Sequence, residues 1–151
     1  MLRARLNEEL RAAMKAKEAR TTSTLRLILA ALKDRDIAAR GKGKTDGVDD
    51  AEIFDMMQKM VRQRHESIEA YERGARPELA RQEAEEIAII ERFLPKQMDE
   101  AEMTAAVDQA IDEVGAVGLK DMGRVMAGLK QQFAGRMDFA KAGALVKRKL
   151  G

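Results

Sequence analysis

Apolar residues recur every three to four positions along almost the whole chain, broken only at glycine-rich turns and at two prolines, Pro77 and Pro95. That period puts side chains on one face of an α-helix, whereas a half-buried strand alternates at every second residue. Strand formers are scarce: aromatic residues are 3% of the 151, while Met alone occurs ten times. The chain is therefore expected to be all-α. A chain of this size buries roughly two thirds of its unfolded surface, enough for a core in one domain or two small ones.

The periodicity predicts seven helices. The first covers residues 2–17, with Leu6, Leu10 and Met14 inward; the hydroxyls of Thr21, Thr22, Ser23 and Thr24 then offer N-caps for a second helix to Ala39, stopped by Gly41. Residues 41–47 have the composition of a mobile loop. Asp49 or Asp50 caps a third helix over residues 51–73, with Ile53, Met57, Met60, Val61, Ile68 and Tyr71 inward. Gly74 ends it, Pro77 starts a fourth that runs to Leu94, and so short a turn makes the two antiparallel neighbours. Pro95 is the best boundary, dividing an N-terminal bundle of about four helices (1–95) from a C-terminal three-helix domain (96–151). There Asp99 caps helix five, Gly115 and Gly118 end it, helix six turns Val125 and Leu129 inward, and Asp138 caps helix seven.

Net charge is only +2, yet it is unevenly spread: residues 1–45 and 120–151 are basic and the stretch between them is acidic. Such blocks suit either a bipartite anion-binding surface or mutual pairing of helices. No run approaches the ~20 apolar residues that span a bilayer, so no membrane partner is expected. The N-terminus reaches Glu8 and Glu9 without an apolar leader, which points to a cytoplasmic location.

Chemistry is hard to find. Without cysteine there is no thiol nucleophile or thiolate metal site. His65 is the only histidine and lacks the spacing of a paired Glu-x-x-His site, so it reads as a solvated helix residue. Gly43-Lys44-Thr45 imitates the end of a phosphate loop, but Ala38 stands where its first glycine belongs and no strand precedes it. Ser23 and Ser67 have no nucleophile elbow around them. No catalytic residue, metal ligand or cofactor site is assigned.

Two features remain. Arg64 interrupts the apolar stripe of helix three, and counting back through the hairpin sets Glu86 at its level, with Glu83 as the alternative partner. In the C-terminal domain, Lys120, Arg124, Ala127, Gly128 and Gln131 fall opposite the stripe centred on Leu129. The small residues there would let a phosphate backbone come close. Arg136 precedes the amide-rich start of helix seven, where anions are favoured, and Lys141, Lys147 and Arg148 project from that helix. Phosphate contacts of this kind suit shape recognition of folded RNA.

Four segments carry a resemblance: Thr24-Leu25-Arg26-Leu27-Ile28-Leu29-Ala30-Ala31-Leu32-Lys33, Arg64-His65-Glu66-Ser67-Ile68-Glu69-Ala70-Tyr71, Phe93-Leu94-Pro95-Lys96-Gln97-Met98, and Lys120-Asp121-Met122-Gly123-Arg124-Val125-Met126. In this order they closely resemble stand-alone YqeY-type proteins of the GatB/YqeY family, over essentially the whole chain. The resemblance implies a helical bundle followed by a three-helix domain. It further implies kinship with the tail of the amidotransferase B subunit and with a domain appended to some glutaminyl-tRNA synthetases, where the module is a tRNA-binding accessory. Lys120, Asp121, Met122, Gly123 and Arg124 match the start of that tail motif, and Gly135-Arg136 its second loop; Met137-Asp138-Phe139 departs from the family's usual small residue, Asp and Gly.

Three functions are open from this resemblance: a non-catalytic tRNA-binding module, a component or homologue of the glutamine-dependent amidotransferase (a carbon–nitrogen ligase), and a helical protein–protein adaptor. The partners it implies are tRNA, held through its phosphate backbone, and an amidotransferase or aminoacyl-tRNA synthetase. No glutamine-hydrolysing nucleophile or ATP–magnesium site accompanies the ligase alternative.

Overall fold

The computed structural model describes residues 1–151 as seven α-helices with no β-strand: α1 (Leu2–Lys15), α2 (Ala19–Gly41), α3 (Asp50–Arg73), α4 (Pro77–Glu91), α5 (Glu100–Val114), α6 (Met122–Phe133) and α7 (Phe139–Leu150). The chain is all-α. It divides into two compact units, Met1–Leu94 and Pro95–Gly151.

In the first unit α3 lies along α4, and α2 packs against both α1 and α4. Leu6, Leu25, Ile28, Ile53, Met57 and Ile90 are fully buried among them. With so few aromatic residues, unbranched Met side chains (Met56, Met57 and Met60) fill the irregular gaps on α3. The aromatic Phe93 is buried in the turn after α4, and the guanidinium of Arg5 covers its ring at 4.8 Å.

Helix α1 stops two residues earlier than the periodicity suggests, and Met14 turns outward while Ala13 faces the core. The second helix starts at Ala19, so Thr21–Thr24 lie inside it and cap nothing. The reversal is made instead by Lys17 at φ 58, with Lys17 N–H donating to Met14 and Glu18 N–H to Ala13. That pair of hydrogen bonds is the Schellman closure, in which a left-handed residue satisfies the last carbonyls of a helix. The same closure ends α3. Gly74 keeps φ −86 and Ala75 takes the left-handed position at φ 56, with Arg76 N–H donating to Tyr71 and Ala75 N–H to Glu72. Helix α4 ends at Glu91 rather than at Leu94.

The 41–47 segment is tied at both ends, by the amides of Lys42, Gly43 and Lys44 to α2 and by Val48 to Arg3 and Asp36. Gly41 belongs to α2 and residues 42–46 are exposed, but Val48 is buried. Arg3 donates to both carboxylate oxygens of Asp36 at 2.6 Å and to the Val48 carbonyl at 2.8 Å, while Asp36 accepts the Val48 N–H at 2.9 Å. The Arg3 guanidinium and that amide hold Asp36 down at about 2. Gly47 sits under this clamp at φ 85, where a Cβ would come within 2.7 Å of Arg3 and 2.9 Å of Asp36.

Arg64 does pair with Glu86, Nε to Oε2 at 2.9 Å, and Glu83 stands further off at 4.0 Å. Arg20 of α2 approaches the other Glu86 oxygen at 3.8 Å and Glu85 at 3.3 Å, so one buried carboxylate ties α2, α3 and α4. Burial, reinforced by neighbouring Glu86, pushes the Glu83 carboxyl above its ordinary value.

The second unit closes α5, α6 and α7 around Val107, Val125, Leu129, Met137, Ala142 and Val146. Asp99 accepts the Glu102 N–H at 2.7 Å while the Glu102 carboxylate accepts the Asp99 N–H, a reciprocal box at the start of α5. Gly115, at φ 69, ends the helix. The entering segment is held by the α6–α7 turn: Met98 N–H donates to the Arg136 carbonyl at 2.9 Å, and Gln97 donates to that of Gly135.

Candidate functional site

Helix α6 sorts its residues cleanly. Val125 and Leu129 are buried, Met122, Met126 and Phe133 partly so, and Gly123, Arg124, Ala127, Gly128, Lys130 and Gln131 face outward. Gly128 and Gly123 have nothing within 4 Å of where a Cβ would stand, so this face is bare and not filled by a neighbour. Lys120 is exposed but is not on α6: it belongs to a single 3-10 turn, Leu119–Asp121, leading into that helix.

Asp121 organises this entry. Its buried carboxylate accepts the Val117 N–H at 2.9 Å and the Arg124 guanidinium at 2.6 Å, and these two bonds hold it below the usual carboxylate range. Arg124 is thus partly neutralised on the protein, whereas Lys120 enters no ion pair. The anchored loop holds Val117 81% exposed and Leu119 50% exposed beside these cations. Sequence reasoning misses both; the one signal for them is two apolar residues out of helical register on either side of Gly118.

Arg136 is a tie as much as a cation. It donates to the Lys96 carbonyl at 3.2 Å and lies 3.7 Å from Glu102. The amides at the start of α7 are not open to an anion, because Asp138 already accepts from Ala140 at 3.0 Å and Lys141 at 3.3 Å. On α7 itself Lys141, Lys147 and Arg148 are exposed and without ion pairs, while Lys149 is bound to Asp108 at 2.6 Å. The arrangement is two basic rows, one along the α6 entry and one on α7, with Arg136 in the turn between them. Met137 is fully buried in the core of the unit.

In the first unit, His65 is exposed on α3. No helix is long and apolar enough to cross a membrane.

Comparison with known proteins places the chain. The family model described as Yqey-like protein matches residues 3–150. A protein of Lachancea thermotolerans named "Altered inheritance of mitochondria protein 41, mitochondrial" is 33% identical over 113 residues, covering 74% of this chain and 58% of its own. Proteins of the same name from Saccharomyces cerevisiae and Eremothecium gossypii are 30% and 32% identical, over 68% and 60% of this chain and 51% and 48% of theirs. The chain therefore spans about half the length of these curated relatives. Their mitochondrial names overturn the cytoplasmic location expected from the N-terminal residues. With nearly every residue inside the match, the chain belongs to the YqeY-like protein family.

Proposed function

We propose that the chain is a non-catalytic accessory module that binds folded tRNA through phosphate contacts of its second unit. One observation carries the reading: Lys120, Lys141, Lys147 and Arg148 are exposed cations without ion pairs, and the first of them leads into a helix face stripped to Ala127 and Gly128. A duplex of A-form RNA is recognised mostly by its shape, through phosphates and 2′-hydroxyls more than through base edges. Gln131 adds a neutral donor and acceptor for the sugar edge. The resemblance to the amidotransferase tail supports the same ligand, and the relatives' names make the mitochondrion the compartment in which it is to be sought.

The test is tRNA binding by the full chain across a salt series. A Lys120→Gln, Lys141→Gln, Lys147→Gln variant leaves the ties of Arg124 and Arg136 intact, so its helicity should not change. Its log affinity should fall less steeply with salt, by ~0.7–0.9 per decade for each phosphate that is no longer neutralised. Equal slopes for parent and variant, or no binding by the parent at low salt, reject the proposal.

A further inference from the structure

The outward face of α2 differs from the rest of the first unit's surface. Opposite the buried line of Leu25, Ile28 and Leu32, the exposed residues Ser23, Leu27, Ala30, Asp34, Ile37 and Gly41 follow at alternating spacings of four and three. That alternation is the seam of a heptad, the pattern by which one helix receives another. Leu27 is 48% and Ile37 56% exposed, so the apolar members of the seam meet solvent. Between them Ala30 is small, which lets a second helix axis come close.

One flank of the seam is charged in register. Arg26, Lys33 and Arg40 stand seven residues apart, and none of them forms a direct ion pair within the chain, although Arg40 is near enough to Asp36 to help hold its carboxyl down. At 1.5 Å per residue they are about 10 Å apart, and the seam is about 27 Å long. At its N-terminal end lies a shallow depression of about 440 Å³, lined by Met14, Lys17, Ala19, Thr22, Ser23 and Arg26. Met14 is half exposed there, with the Arg26 guanidinium 3.9 Å from its sulfur.

We propose that this face of α2 docks an acidic amphipathic helix of a partner protein, about three heptads long. Flanking charges set partner choice and orientation in such pairs, and unpaired cations at heptad spacing ask for carboxylates at the same spacing. A second copy of this chain does not supply them. Antiparallel pairing would set the cation row against itself, and parallel pairing would set it against the uncharged Thr24, Ala31 and Ala38. The exposed Leu27 and Ile37 stand in register along one helix face, the arrangement that receives another helix, which favours a protein over a nucleic acid.

The experiment uses the full chain and two synthetic helical peptides of three heptads, both with Leu along the seam. One carries Glu at the flanking positions and the other Lys. The Glu peptide should bind saturably and at least tenfold more tightly than the Lys peptide. Changing Arg26, Lys33 and Arg40 together to Gln should weaken its binding at least tenfold, and Leu27→Ser with Ile37→Ser should do the same with helicity unchanged. Reversing the three cations to Glu should transfer the preference to the Lys peptide, which a misfolded variant would not do. Equal binding of the two peptides, or undiminished binding by either variant, overturns the proposal. So does loss of tRNA binding in the Gln variant with no Glu-peptide binding by the parent, which assigns the face to nucleic acid. A dimer abolished by Ile37→Ser also overturns it, in favour of a second copy.

Discussion

The Nε of Arg64 donates to Oε2 of Glu86 across 2.9 Å, from the middle of an apolar stripe on α3 to a carboxylate on α4. The two side chains are 14% and 10% exposed, so loss of either leaves the other a buried charge with only a more distant partner. Breaking such a pair typically costs ~3–5 kcal/mol. Glu86→Gln should fall near the lower end, about 3 kcal/mol, because Glu83 remains within reach of Arg64. Arg64→Met should cost less, since Met keeps the stem and Arg20 still faces Glu86. Chemical denaturation of the single variants and the double variant measures this, and the double should cost less than the two singles added.

One turn away, Glu83 should behave in the opposite sense. Its carboxyl is pushed up, so folding favours its neutral form; that contribution is present below the ordinary carboxylate range and is lost as pH rises through the folded value. At neutral pH the charge is a burden, and Glu83→Gln should leave stability unchanged or raise it, by less than about 1 kcal/mol. A midpoint lowered as far as that of Glu86→Gln would contradict this.

Acid should open the clamp over the 41–47 segment. Asp36, held at about 2, contributes stability that is complete above the unfolded carboxylate value and is lost as pH falls from about 4 towards 2. Asp36→Asn should flatten the stability profile in that window and make residues 42–48 more sensitive to protease at neutral pH. Gly47→Ala should do the same by geometry, since its positive φ costs an L-residue ~1–2 kcal/mol before the clash with Arg3 is counted.

Ala75→Gly should stabilise the α3–α4 hairpin by about 0.5–1 kcal/mol, and Lys17→Gly the α1–α2 hairpin similarly, because both positions are left-handed. Thermal unfolding would register a rise of a few degrees. A fall in either case would show that the side chain makes an interaction worth more than the backbone strain.

Gly128→Ala tests the bare face of α6. Nothing would touch the added methyl, so helix propensity alone should raise stability by about 0.8–1 kcal/mol. If a phosphate backbone approaches there, the same variant should bind tRNA more weakly. Gain in stability with unchanged binding would remove Gly128 from the proposed surface.

What is legible in the sequence follows the range of the interaction. Asp99 and Asp138 mark helix starts through contacts within four residues, and Pro77 through its own fixed φ, so their positions can be read directly. Arg64 betrays its partner because a charge in an apolar stripe needs one. The α1–α2 reversal is not legible, since Lys17 performs a turn that normally advertises itself with glycine. Arg136 resembles a free cation because its ties to Lys96 and Glu102 run across more than 30 residues. The row Arg26, Lys33 and Arg40 is hidden for another reason: hydrophobic periodicity reports the buried side of a helix and not its outer one.

The second unit is small. Residues 95–151 make a separate core, and a domain of about 60 residues hides only ~60% of the surface its unfolded chain exposes. Both basic rows are mounted on this marginal piece, and the Arg64–Glu86 buttress belongs to the other. Warming should therefore melt the rows first, while helices α1 to α4 still stand. Any ligand they carry would be released well before the chain as a whole denatures, and a bound ligand would in turn raise the melting point of that piece alone.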